Sequence, residues 1–302
     1  MTSTKLFNTE QPGASKRSGF STEGYKLGKR VNVSLYYFCL IIFSLIILIP
    51  FYWLVKSALS NQEQILKSPP IYFPNPTLEN FGILSEQVPL VRFITNSLIF
   101  SIFSALISVF ISFLAAYAFA RIQIKGSGLL QLLLVLSMSL PEIALIIPLY
   151  RILALLKMLD SLVGLILVLS SVLAPFTVWV LISFIKQVPY EIEEAAIIDG
   201  ASILQVIFQI VMPVTAPGLV TMLVINFING WNNLLYPLTF ASTEKAKTLS
   251  VGITYIFFAR APWGLPWNLV STLGITMVIP VVILVMFSQR AIVAGLTRGA
   301  IK

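Results

Sequence analysis

The chain has 302 residues, 57% hydrophobic and 11% charged, with a mean hydropathy of +0.92. A soluble domain carries roughly 25% charged residues, and this composition in water would expose large, aggregating apolar patches, so a polytopic membrane protein is expected. The absence of His excludes imidazole metal sites and Ser-His-Asp triads, and the single Cys39 excludes an intrachain disulfide or a thiolate cluster. The net charge of +8 comes from bases scattered over tails and loops. In a membrane protein such an excess reports orientation rather than nucleic acid binding.

In chain order, a polar basic tail over 1–32 precedes a charge-free run of 23 residues, Val33 to Val55. The run is longer than a signal-peptide core and predicts an uncleaved first span. Phe93 to Ala120 is charge-free over 28 residues, and Gly126 to Tyr150 carries one charge, Glu142. Ser161 to Ile185 and Ala261 to Gln289 carry none. Gly200 to Thr243 is charge-free over 44 residues, but its apolar centre lies at about 206–228 and gives way to Asn229-Gly-Trp-Asn-Asn233. A helical crossing takes about 20 apolar residues, so six spans are expected. The resulting organisation is a disordered cytoplasmic tail 1–32, a first helix 33–55, a five-helix core 93–289 and a tail 290–302.

An even number of spans puts both termini on one side. That side holds twelve Lys and Arg against eight on the other, so the positive-inside rule places both ends in the cytoplasm. Prolines 50, 141, 148, 175, 213, 217 and 280 fall within the spans, where neighbouring helices or cavity water can satisfy the carbonyls they free. Ser108, Ser112, Ala115 and Ala116 permit close helix approach in the second span.

The loop 186–205 carries four acids after Lys186 and no further base. Pro189 suits a helix start and Gly200 a helix stop, which predicts a short helix of about ten residues. Glu191, Glu193 and Glu194 sit where the helix dipole favours anions, and Ser202 can cap the helix that follows. So acidic a helix is ill suited to anionic lipid headgroups on the cytoplasmic face. Its Ala195, Ala196 and Gly200 let another protein's backbone come close. A docking helix explains both features, whereas a solvated connector explains only the acids.

The string Glu194-Ala195-Ala196, three residues, Gly200, nine residues, Ile210-x-Met212-Pro213 resembles the E-A-A loop of ABC importer permeases. The longer form from Glu193 to Ser202 resembles the sugar-importer branch, the maltose-permease "G" type subunit. Pro141 with Ile147-Pro-Leu-Tyr150, the stretch Phe227 through Trp231-Asn232 to Tyr236-Pro-Leu238, and the C-terminal Gln289 to Lys302 agree with that likeness. Met212 departs conservatively from the usual Leu. Ile197-Ile198 stands where the family often has Arg.

The resemblance implies an all-helical type I importer permease in a bacterial cytoplasmic (inner) membrane. It implies a second permease subunit, two ATPase subunits and an extracytoplasmic binding protein that delivers a sugar or oligosaccharide. ATP and magnesium would be bound by the ATPases, with no cofactor in this chain. Glu194, Ala195, Ala196, Asp199 and Gly200 would form the coupling helix, and Gly295, Leu296, Thr297 and Gly299 would also meet the ATPases. ATP-driven closure would then switch the bundle between two states, and the outside loop after Trp231 would face the binding protein.

No phosphate-binding loop is found. Gly24-Tyr-Lys-Leu-Gly28-Lys29-Arg30 has one residue too few between its glycines and no closing Ser or Thr. Glu142, the one charge within a span, is costly there and a candidate pathway residue or structural ion-pair partner. Asn226, Asn229 and Asn233 follow an i, i+3, i+7 face near Asn232 and Trp231. They are candidates for hydrogen bonding to sugar hydroxyls or, alternatively, between helices, with Trp231 as an interfacial anchor. Two rival functions are an ABC permease for a non-sugar solute such as glycerol-3-phosphate and a self-sufficient secondary transporter. The second requires ion-coupling groups within the spans, where only Glu142 stands.

Overall fold

The computed structural model describes residues 22–123, 125–260 and 264–300, with side chains at 33, 35–123, 125–257 and 264–289. All regular structure among them is helical, and the chain divides into two units after Trp53. The first unit is made largely of α1 (Thr22–Ala58), which continues into the second. Over Leu35–Ala58 its mean hydropathy is 2.7, and its side chains up to Trp53 are mostly exposed. Such an all-round apolar helix is suited to lipid rather than water. The helix begins at Thr22 rather than Val33, so residues 22–32, expected as a disordered tail, are helical; residues 1–21 lie outside the described residues.

The second unit continues with two short helices, α2 (Gln62–Leu66) and α3 (Glu79–Gln87), and then α4 (Leu90–Arg121). α5 (Ser127–Met138) and α6 (Glu142–Leu155) form a pair bent by 102°. α7 (Leu162–Lys186) leads into α8 (Tyr190–Ile198). A second bent segment follows: α9 (Ile203–Gln205), a π-helical turn Val206–Val211 and α10 (Met212–Val214), meeting α11 (Ala216–Asn232) at 76°. The chain closes with α12 (Leu235–Phe240), α13 (Gly252–Arg260) and α14 (Trp267–Ala300). Among the described residues, four helices are long and apolar enough to cross a membrane, or six spans result if each bent pair is one crossing.

Both bends have an identifiable cause. Pro141 caps α6 with extended backbone (ψ 129°), so α5 cannot run through it. Pro213 cannot donate to the preceding turn, and the helix widens to π geometry just before it. At the bend Thr215 reinforces the turn, its Oγ1 donating to the carbonyls of Val211 at 2.7 Å and Met212 at 3.2 Å, the first of which also accepts the Thr215 N–H at 2.9 Å. Pro217, in the first turn of α11, needs no amide partner there. Pro50, Pro148, Pro175 and Pro280 are instead carried inside helices.

The centre of the bundle is α4 packed on α7, with α11 against both and α14 against α11. Small polar residues bring the first two together: Ser170 Oγ donates to the Ser104 carbonyl at 3.2 Å and Ser112 Oγ to that of Ala174 at 3.2 Å. A Cβ on Gly230 would lie 2.9 Å from Ser101 Cα, so α11 approaches α4 at a distance only glycine permits.

Candidate functional site

The α8 elbow is built by local chemistry. Pro189 is its N-cap and Asp199 its C-cap. Gly200 follows at φ +91°, where its N–H donates to the Ile197 carbonyl at 3.0 Å. Ala201 N–H donates to the Ala196 carbonyl at 2.9 Å. Those two bonds are a Schellman closure, which glycine's access to the left-handed region makes inexpensive. Ser202 and Gln205 form a reciprocal capping box that starts the next helix.

A nine-residue helix has little stability of its own, and α8 is held along one face only. Ala196 packs against the hydrophobic cluster around Phe113, Ile185 and Val206, while Glu193 is buried to 1% exposure. Arg121, the last residue of α4, donates from Nε to Glu193 Oε1 at 2.7 Å. Its Nη2 donates to the carbonyls of Ile185 and Val188 at 3.0 and 2.7 Å. Tyr117 Oη donates to Glu193 Oε2 at 3.1 Å, and the Tyr190 ring lies 5.7 Å from the guanidinium. Removing one partner of such a buried pair costs about 3–5 kcal/mol.

The rest of α8 points outward. Glu191, Glu194, Ala195, Asp199 and Gly200 are exposed, with Ile197 at 49% and Ile198 at 84%. A water-facing helix tip that mixes acids with two isoleucines has the character of a protein contact. Gly295, Leu296, Thr297 and Gly299 lie on the final turns of α14, and their side chains fall outside the described residues. Tail and last helix are thus continuous, without a break at 290.

At the other end of α4 a second polar system is pinned. Asn96 Nδ2 donates to the carbonyls of Glu244, Lys245 and Lys247, the last at 2.8 Å, and Leu249 N–H donates to Ser97 Oγ at 2.7 Å. Asp160, itself at φ +54°, accepts from the Thr243 N–H at 2.8 Å and hydroxyl at 2.6 Å. Partial burial pushes its carboxyl up. The Thr243 and Ser242 hydrogen bonds and the Lys245 charge outweigh this and hold it below the usual carboxylate range. Beside this loop lies an open cavity of about 670 Å³ lined by Thr239, Ser242, Thr254 and Tyr255, with the Lys247 ammonium 5.2 Å above the Tyr255 ring. From Asn96 to Arg121 α4 rises about 37 Å at 1.5 Å per residue. That exceeds the roughly 30 Å hydrocarbon core, so the two polar ends straddle a bilayer.

The asparagines do not share one face. Asn226 is fully buried and joins three helices, donating to Thr177 Oγ1 at 3.0 Å and Ser108 Oγ at 3.3 Å. Trp231 is 1% exposed and donates to the Met277 carbonyl at 2.9 Å, which ties α11 to α14 instead of anchoring an interface. The helix stops at Asn232, so Asn233 leaves the expected face; it caps α12 by accepting from the Tyr236 N–H at 3.1 Å. Asn229, Asn232 and Glu142 are exposed, and Glu142 sits in the first turn of α6 at the 102° bend rather than inside a straight span. An acid there is favoured by the helix dipole. Sequence reasoning gave Arg121 no role beyond loop charge; the signal available was a lone base ending a long apolar run.

Residues 108–298 match the family of binding-protein-dependent transport system inner membrane components. The chain is 33% identical to the sulfoquinovosyl glycerol transport system permease protein SmoH of Agrobacterium fabrum, over 84% of this chain and 89% of that one. It is 32% identical to the trehalose/maltose transport system permease protein MalG of Thermococcus litoralis, over 87% and 94%. A bacterial ABC transporter that imports the acidic polysaccharide alginate contains a chain of the same fold, with a TM-score of 0.71 at 18% identity, covering 90% of this chain and 99% of that one. With an elbow helix bolted to the end of a membrane-length rod, and with these likenesses over most of its length, the chain belongs to the inner membrane components of binding-protein-dependent transport systems and has the type I ABC importer permease fold.

Proposed function

We propose that this subunit passes a sugar or oligosaccharide, delivered by an extracytoplasmic binding protein, across the cytoplasmic membrane, driven by ATPase subunits that grip α8. The observation that carries the docking role is the outward face of α8, where Glu194, Asp199 and Gly200 surround an Ile198 that is 84% exposed. The sugar reading is supported by relatives whose names specify trehalose/maltose and sulfoquinovosyl glycerol. Both termini and α8 lie in the cytoplasm on this reading, as the Lys/Arg bias requires. A second permease subunit completes the pathway, to which Glu142, Asn229 and Asn232 are this chain's exposed polar candidates. ATP and magnesium bind in the ATPases, and the C-terminal Gly295, Leu296, Thr297 and Gly299 lie against them.

The test is reconstitution of this chain with its partner permease, ATPase and binding protein, followed by uptake from a panel of neutral and acidic sugars and glycerol-3-phosphate. ATP-dependent uptake of a sugar is expected. Uptake confined to glycerol-3-phosphate overturns the sugar assignment, and ion-gradient-driven uptake by this chain alone overturns the partner-driven mechanism.

A further inference from the structure

The docking helix meets α4, a 32-residue rod of the core, chiefly through Arg121. Arg121 ends α4, its Nε holds Glu193 of α8, and its Nη2 holds the Ile185 and Val188 carbonyls where α7 stops. Those carbonyls lie in the last turn of α7 and the connector beyond it; the Ile185 carbonyl also accepts the Val188 N–H at 3.1 Å, so the guanidinium adds to the local closure of the helix end. One planar guanidinium therefore joins three elements, and lysine, a point charge without the fork, cannot reproduce that geometry. Both Glu193 oxygens are engaged, the second by Tyr117 one turn back on α4. Stability alone does not explain the joint, since apolar residues of similar volume often stabilise such a place as well or better than a buried ion pair. What the pair adds is direction: it fixes the angle of α8 to α4, where apolar packing through Ala196 alone lets a short helix slide.

We propose that Arg121 is a positioning residue that fastens α8 to α4 as one rigid body, so that force received on α8 moves the bundle rather than the loop alone. The inference rests on α8 being the ATPase-docking helix, and the experiment separates the two. In the full importer complex, with Cys39 replaced by Ser, spin labels are placed at Ile192→Cys on α8 and Ile111→Cys on α4, both exposed. Distances are measured without nucleotide and after trapping with ATP and vanadate. The expected result is one narrow distance, the same in both states, which Arg121→Gln converts to a broad distribution that shifts on trapping. A merely stabilising role lowers thermal stability but leaves that distance narrow. Where Arg121→Gln does not assemble, Arg121→Lys is measured; it keeps the charge opposite Glu193, loses the fork, and is expected to broaden on trapping. A distance that changes between states in the unmodified joint, or a variant as narrow as the parent in both, overturns the proposal. Failure of the ATPase to co-purify with the unmodified chain overturns the docking reading instead.

Discussion

At Gly200 the backbone sits at φ +91° with nothing within 4 Å of where a Cβ would be, so conformation and not space restricts the position within this chain. A bulky L-residue there costs roughly 1–2 kcal/mol in the left-handed region and projects into the face offered to a partner. Gly200→Leu is expected to insert normally and to lose at least most uptake per ATP hydrolysed, while Gly200→Asn, which tolerates that conformation, loses less. Wild-type uptake in the Leu variant counts against docking. Asn226 makes the opposite case. Asn226→Leu removes a three-helix hydrogen bond worth about 0.6–1.7 kcal/mol, so thermal stability in detergent should fall with substrate affinity unchanged; a shifted KM returns Asn226 to the pathway. Asp160 supplies a pH test. Its folded pKa is depressed, so its contribution is complete above the ordinary carboxyl value of about 3.9 and is lost as pH falls through the folded value below that. Asp160→Asn, which cannot ionise, should lower melting at neutral pH, leave it little changed in acid, and so remove this acid-side dependence. Among single residues, Pro189, Gly200 and Ser202 were legible because capping is local. The interhelical reading of Asn226 agrees with the structure, but its partners, like those of Arg121 and Trp231, were not legible because they lie 46 to 118 positions away in the sequence.

Apolar runs announced all the long helices, since a bilayer demands length and backbone self-satisfaction from any crossing segment. The runs did not announce the angles. A proline states that a ladder is interrupted, but whether the chain bends, as at Pro141, or continues, as at Pro175, depends on what receives the freed carbonyls. At the second bend the Thr215 hydroxyl reaches the Met212 carbonyl and adds to the backbone bond that the Val211 carbonyl already accepts. Thr215→Val keeps the shape and removes the donor. It should destabilise the protein by about 1 kcal/mol and raise amide exchange across 206–214, measured by hydrogen exchange. Unchanged protection there refutes the role given to Thr215. The joint between α9 and α8 was readable from Ser202 as a cap, though not from Gln205; the face α8 turns inward was not, because a row of acids along a short helix does not say which one is buried.

For the molecule as a whole, the positive-inside count and the separation of the two polar ends make one joint prediction. A membrane-impermeant thiol reagent should label Ile198→Cys only in inside-out vesicles and Ser242→Cys only in right-side-out ones, both in a Cys39→Ser background. Reversed labelling inverts the orientation and, with it, the side on which an ATPase can reach α8. The 102° bend carries a consequence for biogenesis. α5 and α6 have 12 and 14 residues, about 18 and 21 Å of helix, so neither half alone reaches across a bilayer of roughly 30 Å. While the chain emerges from the ribosome, that hairpin-like segment cannot settle until later helices arrive to shelter its open ends. A nascent chain arrested shortly after Asp160 should leave residues 127–155 open to protease and alkaline extraction, and release through Asn232 should close them off.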